Sequence, residues 1–84
     1  MKWPSAKEEV IIRLLVDGEL FGLSLVEKSN GLLKKGTVFV TLGRMGQKGL
    51  LESRQEPREH GIPRRYYKLS AAGEKFLLAF KLMS

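Results

Sequence analysis

Eighty-four residues are enough for one hydrophobic core, so the chain reads as a single domain over residues 1–84. Cysteine is absent and histidine occurs once, which excludes disulfides, thiolate metal sites and cysteine nucleophiles and leaves His60 without metal-ligand partners. The net charge of +6 is unevenly placed: Met1 to Glu27 holds three basic and five acidic residues, Lys28 to Ser84 twelve basic and four acidic. No acidic residue occurs between Glu27 and Glu52. A basic surface confined to part of a small domain suits a polyanion, because each cation placed at a phosphate releases condensed counterions. Taken alone, that charge is equally compatible with plain solubility.

No apolar run approaches the ~20 residues that span a bilayer, and Met1-Lys2-Trp3-Pro4 lacks the apolar stretch of a signal peptide. The expectation is a cytoplasmic protein with no membrane partner. There is no glycine-rich phosphate loop and no candidate carboxylate pair, so an enzyme is not expected, and neither a cofactor nor a metal.

In chain order, Ser5 followed by Glu8 has the spacing of a capping box, and Val10, Ile11, Leu14 and Leu15 then fall at helical intervals. The first helix is predicted over Ala6 to Val16, stopped by Asp17-Gly18. Leu20-Phe21-Gly22 reads as a short apolar link. A second helix fits Gly22 to Ser29, with Leu25 and Val26 inward and Asn30-Gly31 tolerating the left-handed turn that follows.

The third helix is predicted from Gly36-Thr37 to Lys48. At ~100° per residue, Val38, Leu42 and Met45 share the core face. The opposite face carries Val40, Gly43, Arg44 and Gln47, flanked by Thr37, Thr41 and Lys48, with no acid among them. Gly43 and Gly46 weaken this helix by ~1 kcal/mol each relative to alanine. Gly43 serves either close approach of DNA or is a tolerated weakness.

Leu50 to Glu56 and Arg64 to Leu69 read as two strands around the turn Pro57 to Pro63. Period-two alternation places Tyr67 with Leu69 on the core face and Arg64, Tyr66 and Lys68 on the other. Both tyrosines are expected to pack in the sheet rather than to stack on bases, and His60 is expected to be an exposed turn residue. Ser70 caps a last helix from Ala71 to Met83. The fold class is therefore α+β, mainly α: a winged helix-turn-helix of three helices, a β-hairpin wing and a C-terminal helix.

Gly36 to Met45, continuing through Lys48-Gly49-Leu50-Leu51, resembles the recognition-helix pattern of the PadR family of transcriptional regulators: G-T-L/I-Y, an alanine-leucine-arginine run, then K-G-L-L/I. Gly61 to Ser70 with Gly73 is similar to that family's wing signature, G-R-P-R-R/K-Y-Y-x-L/I-T-x-x-G. Gly18 to Leu25 is a third, weaker match to the turn before the second helix. Together they cover about residues 8 to 77. Val40 stands where the family often has proline, Phe39 and Leu23 where it has tyrosine, and Ile62 where it has arginine. PadR proteins usually continue into longer dimerisation helices, so a chain ending at Ser84 resembles the compact, single-domain type.

The resemblance implies a double-stranded DNA-binding regulator, expected to be a repressor, with helix 36–48 in the major groove and wing 56–66 on the adjacent backbone or minor groove. Arg44, Gln47 and Lys48 are the expected base or groove contacts, with Thr37, Val40 and Thr41 beside them, and Lys34 and Lys35 are expected at phosphates. Arg58, Arg64 and Arg65 are the wing candidates. Phe76, Leu77, Phe80, Leu82 and Met83 give the last helix more apolar surface than a small monomer covers, so Trp3, the first helix and this C-terminal helix (residues 70–84) are expected to form a homodimer interface, with Trp3, Phe76, Leu77, Phe80 and Met83 its main contacts. PadR proteins often respond to phenolic or drug-like molecules, which adds a small-molecule effector to the candidate partners. The alternative reading is a winged-helix protein–protein adaptor without direct DNA binding.

Overall fold

The helix start at Ser5 forms as its spacing dictates. In the computed structural model, which describes residues 3–83, α1 spans Ala6–Leu14. The Glu8 amide donates to Ser5 Oγ at 3.3 Å and the Ser5 amide donates to Glu8 Oε1 at 2.9 Å, the reciprocal bonds of a capping box. The helix is shorter than the expected Ala6 to Val16. It tightens into a 3-10 turn over Leu15–Asp17, closed by the Gly18 amide on the Leu15 carbonyl, and Gly18 then takes a φ of 128°.

Leu20–Phe21, expected as a link, is a short strand, β1. Two residues carry no period, and their partners are distant in sequence: Leu20 pairs with Tyr67 and Phe21 with Tyr66. Next comes α2 over Gly22–Lys28, one residue shorter than expected. Ser29 pins the turn to α3, its hydroxyl donating to the Val26 carbonyl at 2.7 Å and accepting from the Leu33 amide at 3.0 Å. Asn30 (φ 52°) and Gly31 (φ 89°) supply the left-handed turn between them.

Helix α3 spans Lys35–Gln47, beginning slightly before the expected Gly36-Thr37. Strands β2 (Leu51–Glu56) and β3 (Arg64–Leu69) form the hairpin, and α4 spans Ala71–Met83. The sheet is antiparallel in the order β1-β3-β2, with Leu51 opposite Leu69 and Glu56 opposite Arg64. Among the described residues this makes four α-helices and a three-stranded sheet, the mainly helical α+β winged helix that the sequence predicts.

Every major element contributes to one cluster: Ile11, Ile12 and Leu15 from the first helical segment, Leu25 and Leu33 around the turn, Val38, Leu42 and Met45 from α3, then Leu50, Leu51, Leu69 and Phe80. Ile12, which the periodicity passes over, is fully buried, whereas Val10, Leu14 and Val26 are only half-buried. Burying each large aliphatic side chain contributes about 1.5–3 kcal/mol before chain entropy is set against it. This cluster fixes α3 against the sheet.

The wing is tied to α4 by its own corner. The Ser70 hydroxyl donates to the Gly49 carbonyl and accepts from the Gly73 amide at 3.1 Å. A Cβ on Gly73 would lie 2.2 Å from the Leu50 carbonyl oxygen, so α4 crosses this corner backbone to backbone.

Candidate nucleic-acid interface

The inward burial of Val38, Leu42 and Met45 turns the other side of α3 to solvent. Thr37, Val40, Arg44, Gln47 and Lys48 are exposed, and Thr41 is half-buried. Lys34 and Lys35 are exposed at the start of the helix. Among the described residues Arg44 has no acidic partner, so its guanidinium is available to an external acceptor. Gly43 and Gly46 expose helix backbone toward the sheet, and a cleft of about 500 Å³ opens there between α3 and the wing, bordered by Gln47, Ser53, Arg65 and Tyr67.

Lys48 is placed differently from its helix neighbours. Its Nζ lies 2.8 Å and 3.1 Å from the two carboxylate oxygens of Glu8, whose side chain is almost fully buried. Burial alone would raise the Glu8 pKa. The bond from Lys48, the Ser5 backbone amide and the ammonium charge outweigh it and hold the carboxyl below its ordinary value. Lys48 therefore ties α3 to α1, with its charge answered inside the protein. The same packing brings Lys7, absent from the sequence-predicted contacts, to the groove that Arg44 and Thr37 line. Lys7 sits in the acid-rich N-terminal segment, and only the docking of α1 on α3 reveals it.

On the wing, Arg64 and Arg65 are exposed at the start of β3 and point to opposite faces. Arg65 turns toward the cleft and its Nη1 donates to Ser53 Oγ at 3.3 Å. Beside it, burial holds the Tyr67 phenol above its ordinary pKa against the pull of Arg65, so the hydroxyl remains protonated. Arg64 lies on the outer face, its guanidinium carbon 4.7 Å from the Phe21 ring centre. Arg58 and His60 lie in the exposed turn between the strands. Arg54, not among the predicted contacts, is held by Glu19 on one side and Glu56 on the other. The bond from Arg54 is the main reason the Glu19 carboxyl is held below its ordinary pKa.

The residues expected at a dimer interface divide in two. Trp3 is half-exposed and meets Phe76 and Phe80 edge-on at 5.4 Å and 5.5 Å. Phe80 is 1 % exposed and belongs to the core of the domain itself, because the face of α4 that buries Gly73 carries it inward too. Phe76 and Leu77 are half-buried, and Met83 is exposed. The exposed apolar surface of α4 is instead Leu78, Leu82 and Met83, of which Leu78 was missed. Among the described residues no group of three or more His, Asp or Glu side chains could hold a metal ion, and no helix is long and apolar enough to cross a membrane.

An acid-free helix face beside an arginine-bearing wing is the arrangement that the PadR motifs imply. A sequence model of the transcriptional regulator PadR-like family matches residues 11–79, most of the chain. The chain belongs to this family. Its structure is similar to that of a PadR family transcription regulator from Clostridium difficile R20291, with a TM-score of 0.83 and 26% identity over 94% of this chain and 86% of that one. It is also similar to a PadR-like transcription factor from Bacteroides fragilis, with a TM-score of 0.79 and 26% identity over 90% of this chain and 77% of that one. A third PadR structure, from Bacillus subtilis, was determined in complex with operator DNA. Its TM-score is 0.82 at 18% identity, over 89% of this chain and 46% of that one. No curated protein matches the chain in sequence. The chain is thus a PadR-family transcription regulator with the family's winged-helix fold.

Proposed function

We propose that this PadR-family chain is a homodimeric, sequence-specific double-stranded DNA-binding repressor of the cytoplasm, formed by one winged helix-turn-helix domain. Helix α3 reads the major groove through Arg44 and Gln47, with Thr37, Val40 and Thr41 beside them and Lys34 and Lys35 on phosphates. The wing reaches the adjacent backbone or minor groove through Arg58, Arg64 and Arg65. Lys48 acts chiefly by holding α1 against α3, and Lys7 joins the phosphate contacts. Trp3 with the exposed end of α4 supplies the dimer contact, setting two recognition helices about 34 Å apart, one turn of B-DNA. A small-molecule effector acting on that dimer is part of the reading.

The observation that carries the proposal is Arg44, without an acidic partner among the described residues, on an acid-free α3 face flanked by the wing arginines. Arginine presents two parallel donors to guanine O6 and N7, worth about 1–3 kcal/mol of discrimination per base pair. The Bacillus subtilis relative solved in complex with operator DNA supports DNA as the partner of this fold. The deciding experiment measures binding to a pool of duplex DNA against salt, for the wild type and Arg44→Ala. The expected result is an enriched sequence, a steep salt dependence, and loss of sequence preference in the variant. A salt slope near zero with no enriched sequence would refute DNA binding and favour a protein–protein adaptor.

A further inference from the structure

The outer face of the sheet carries two arginines, each laid over an aromatic ring, and they differ in what else holds them. Arg54 lies 4.8 Å from the Tyr66 ring centre and is also gripped by Glu19 and Glu56. Its charge is answered locally, and it ties β2 to Tyr66 of β3 and to Glu19, the residue just before β1. Arg64 lies 4.7 Å from the Phe21 ring centre and has no acidic partner among the described residues. Phe21 is in turn set edge-on against Tyr66, with centroids 6.0 Å apart, by the register that pairs the two residues. Arg64 is two residues from Tyr66 along β3, which places it diagonally across from Phe21 on the same face.

From this arrangement we infer that Phe21, delivered by the short strand β1, is a positioning residue that holds the Arg64 guanidinium in its DNA-binding orientation before DNA arrives. The inference rests on the DNA-binding reading above and assigns to β1 a role that no wing motif contains. A guanidinium over an aromatic face keeps its edge N–H groups free, so stacking on Phe21 and donation to a phosphate oxygen are compatible. Without the ring, Arg64 is a long flexible side chain whose ordering on binding opposes affinity. Removing the platform is expected to weaken binding about 2- to 10-fold at every salt concentration.

The test is a double-mutant cycle on the duplex that the wild type enriches, with Phe21→Leu, Arg64→Ala and the double variant titrated against salt. Arg64→Ala is expected to lower the salt slope by about one, because one phosphate contact is lost. Phe21→Leu is expected to leave the slope unchanged, to weaken binding, and to add nothing in the Arg64→Ala background. Phe21→Tyr, which keeps the ring, should restore wild-type affinity. Equal losses from Phe21→Leu with and without Arg64 would mean a merely structural ring and overturn the inference. If Phe21→Leu does not fold, NMR of the free wild type decides. Ring-shifted, slowly averaging Arg64 side-chain signals support the platform, and a freely rotating Arg64 refutes it. Failure of the wild type to bind any duplex would instead remove the DNA reading itself, and the inference with it.

Discussion

Gly43 separates two accounts of the weak helix α3. A Cβ built there meets nothing within 4 Å, so alanine adds no clash inside the protein. In mid-helix the exchange removes glycine's excess backbone freedom, about 1 kcal/mol. For a domain of this size that raises the melting temperature by roughly 4–8 °C. If DNA approaches the helix backbone at this position, the added methyl must push it away. Overpacking typically costs about 1–3 kcal/mol, or ~5- to 150-fold in affinity. Gly43→Ala should therefore be more stable and bind more weakly, as read by thermal unfolding and by titration of the enriched duplex. Gly46→Ala is the control: its Cβ also meets nothing, but it lies ~60° further round toward the sheet. It should gain the same stability and keep its affinity. Unchanged DNA binding in Gly43→Ala would refute close approach and leave the glycine a tolerated weakness. A lower melting temperature would refute the open-space reasoning.

Glu8→Gln keeps the capping box, since glutamine also accepts at that position, and removes only the charge. It should cost about 1–2 kcal/mol of stability in urea titrations and, by releasing Lys48, steepen the DNA salt slope by up to about one. The Glu8 carboxyl is depressed in the folded state, so its contribution is present above its unfolded pKa and lost as pH falls through the lower folded value. The Gln variant should lack that part of the acid limb. Gly73→Ala should cost about 3 kcal/mol, because the methyl would meet the Leu50 carbonyl, which is backbone and cannot swing aside. Gly22→Ala should cost less than about 1 kcal/mol, since its Cβ meets the rim of Phe39, a half-exposed ring free to turn. Similar denaturation midpoints for these two variants would contradict the distinction. If the proposed dimer forms through α4, Leu82→Glu should leave the fold intact and shift sedimentation toward the monomer; an unchanged sedimentation coefficient would refute the α4 contact.

Elements that obey a period or a cap were readable from the chain. The Ser5–Glu8 box, the inward row Val38, Leu42, Met45 and the alternation that buries Leu69 are local rules, and the folded chain follows them. The unread features are products of distance. Strand β1 has two residues and exists because β3 offers an edge to it, so no window on the sequence could show it. Phe80 looks like its neighbours Leu78 and Leu82 in composition, and only the direction in which α4 meets α1 sends it inward. The position of Lys7 beside α3 and the Lys48–Glu8 bridge were not legible for the same reason: the local charge balance around each says nothing of what α1 brings to α3.

Charge shows how far a sequence-level argument reaches. The basic C-terminal segment suggests a broad electropositive surface, but the fold withdraws several of its cations. Lys48 is answered by Glu8, Arg54 by Glu19 and Glu56, and Lys68 lies 3.8 Å from Glu52. Lys34, Lys35, Arg44, Arg58, Arg64 and Arg65 have no ion pair among the described residues, and neither does Lys7. These cations line the start and outer face of α3, the groove beside it and the wing, where a duplex lying along α3 would run. If each met one phosphate, the salt dependence of one protomer would have a slope of about −6. Full use of every lysine and arginine from Lys28 onward would give a slope nearer −11. Lys28, Lys75 and Lys81 are likewise unpaired among the described residues, so a measured slope beyond about −9 per protomer would mean that DNA breaks the internal ion pairs on binding. A slope at or below that magnitude fits a protein whose acids, Glu8 and Glu19 above all, separate the cations that hold the fold from those left for the ligand.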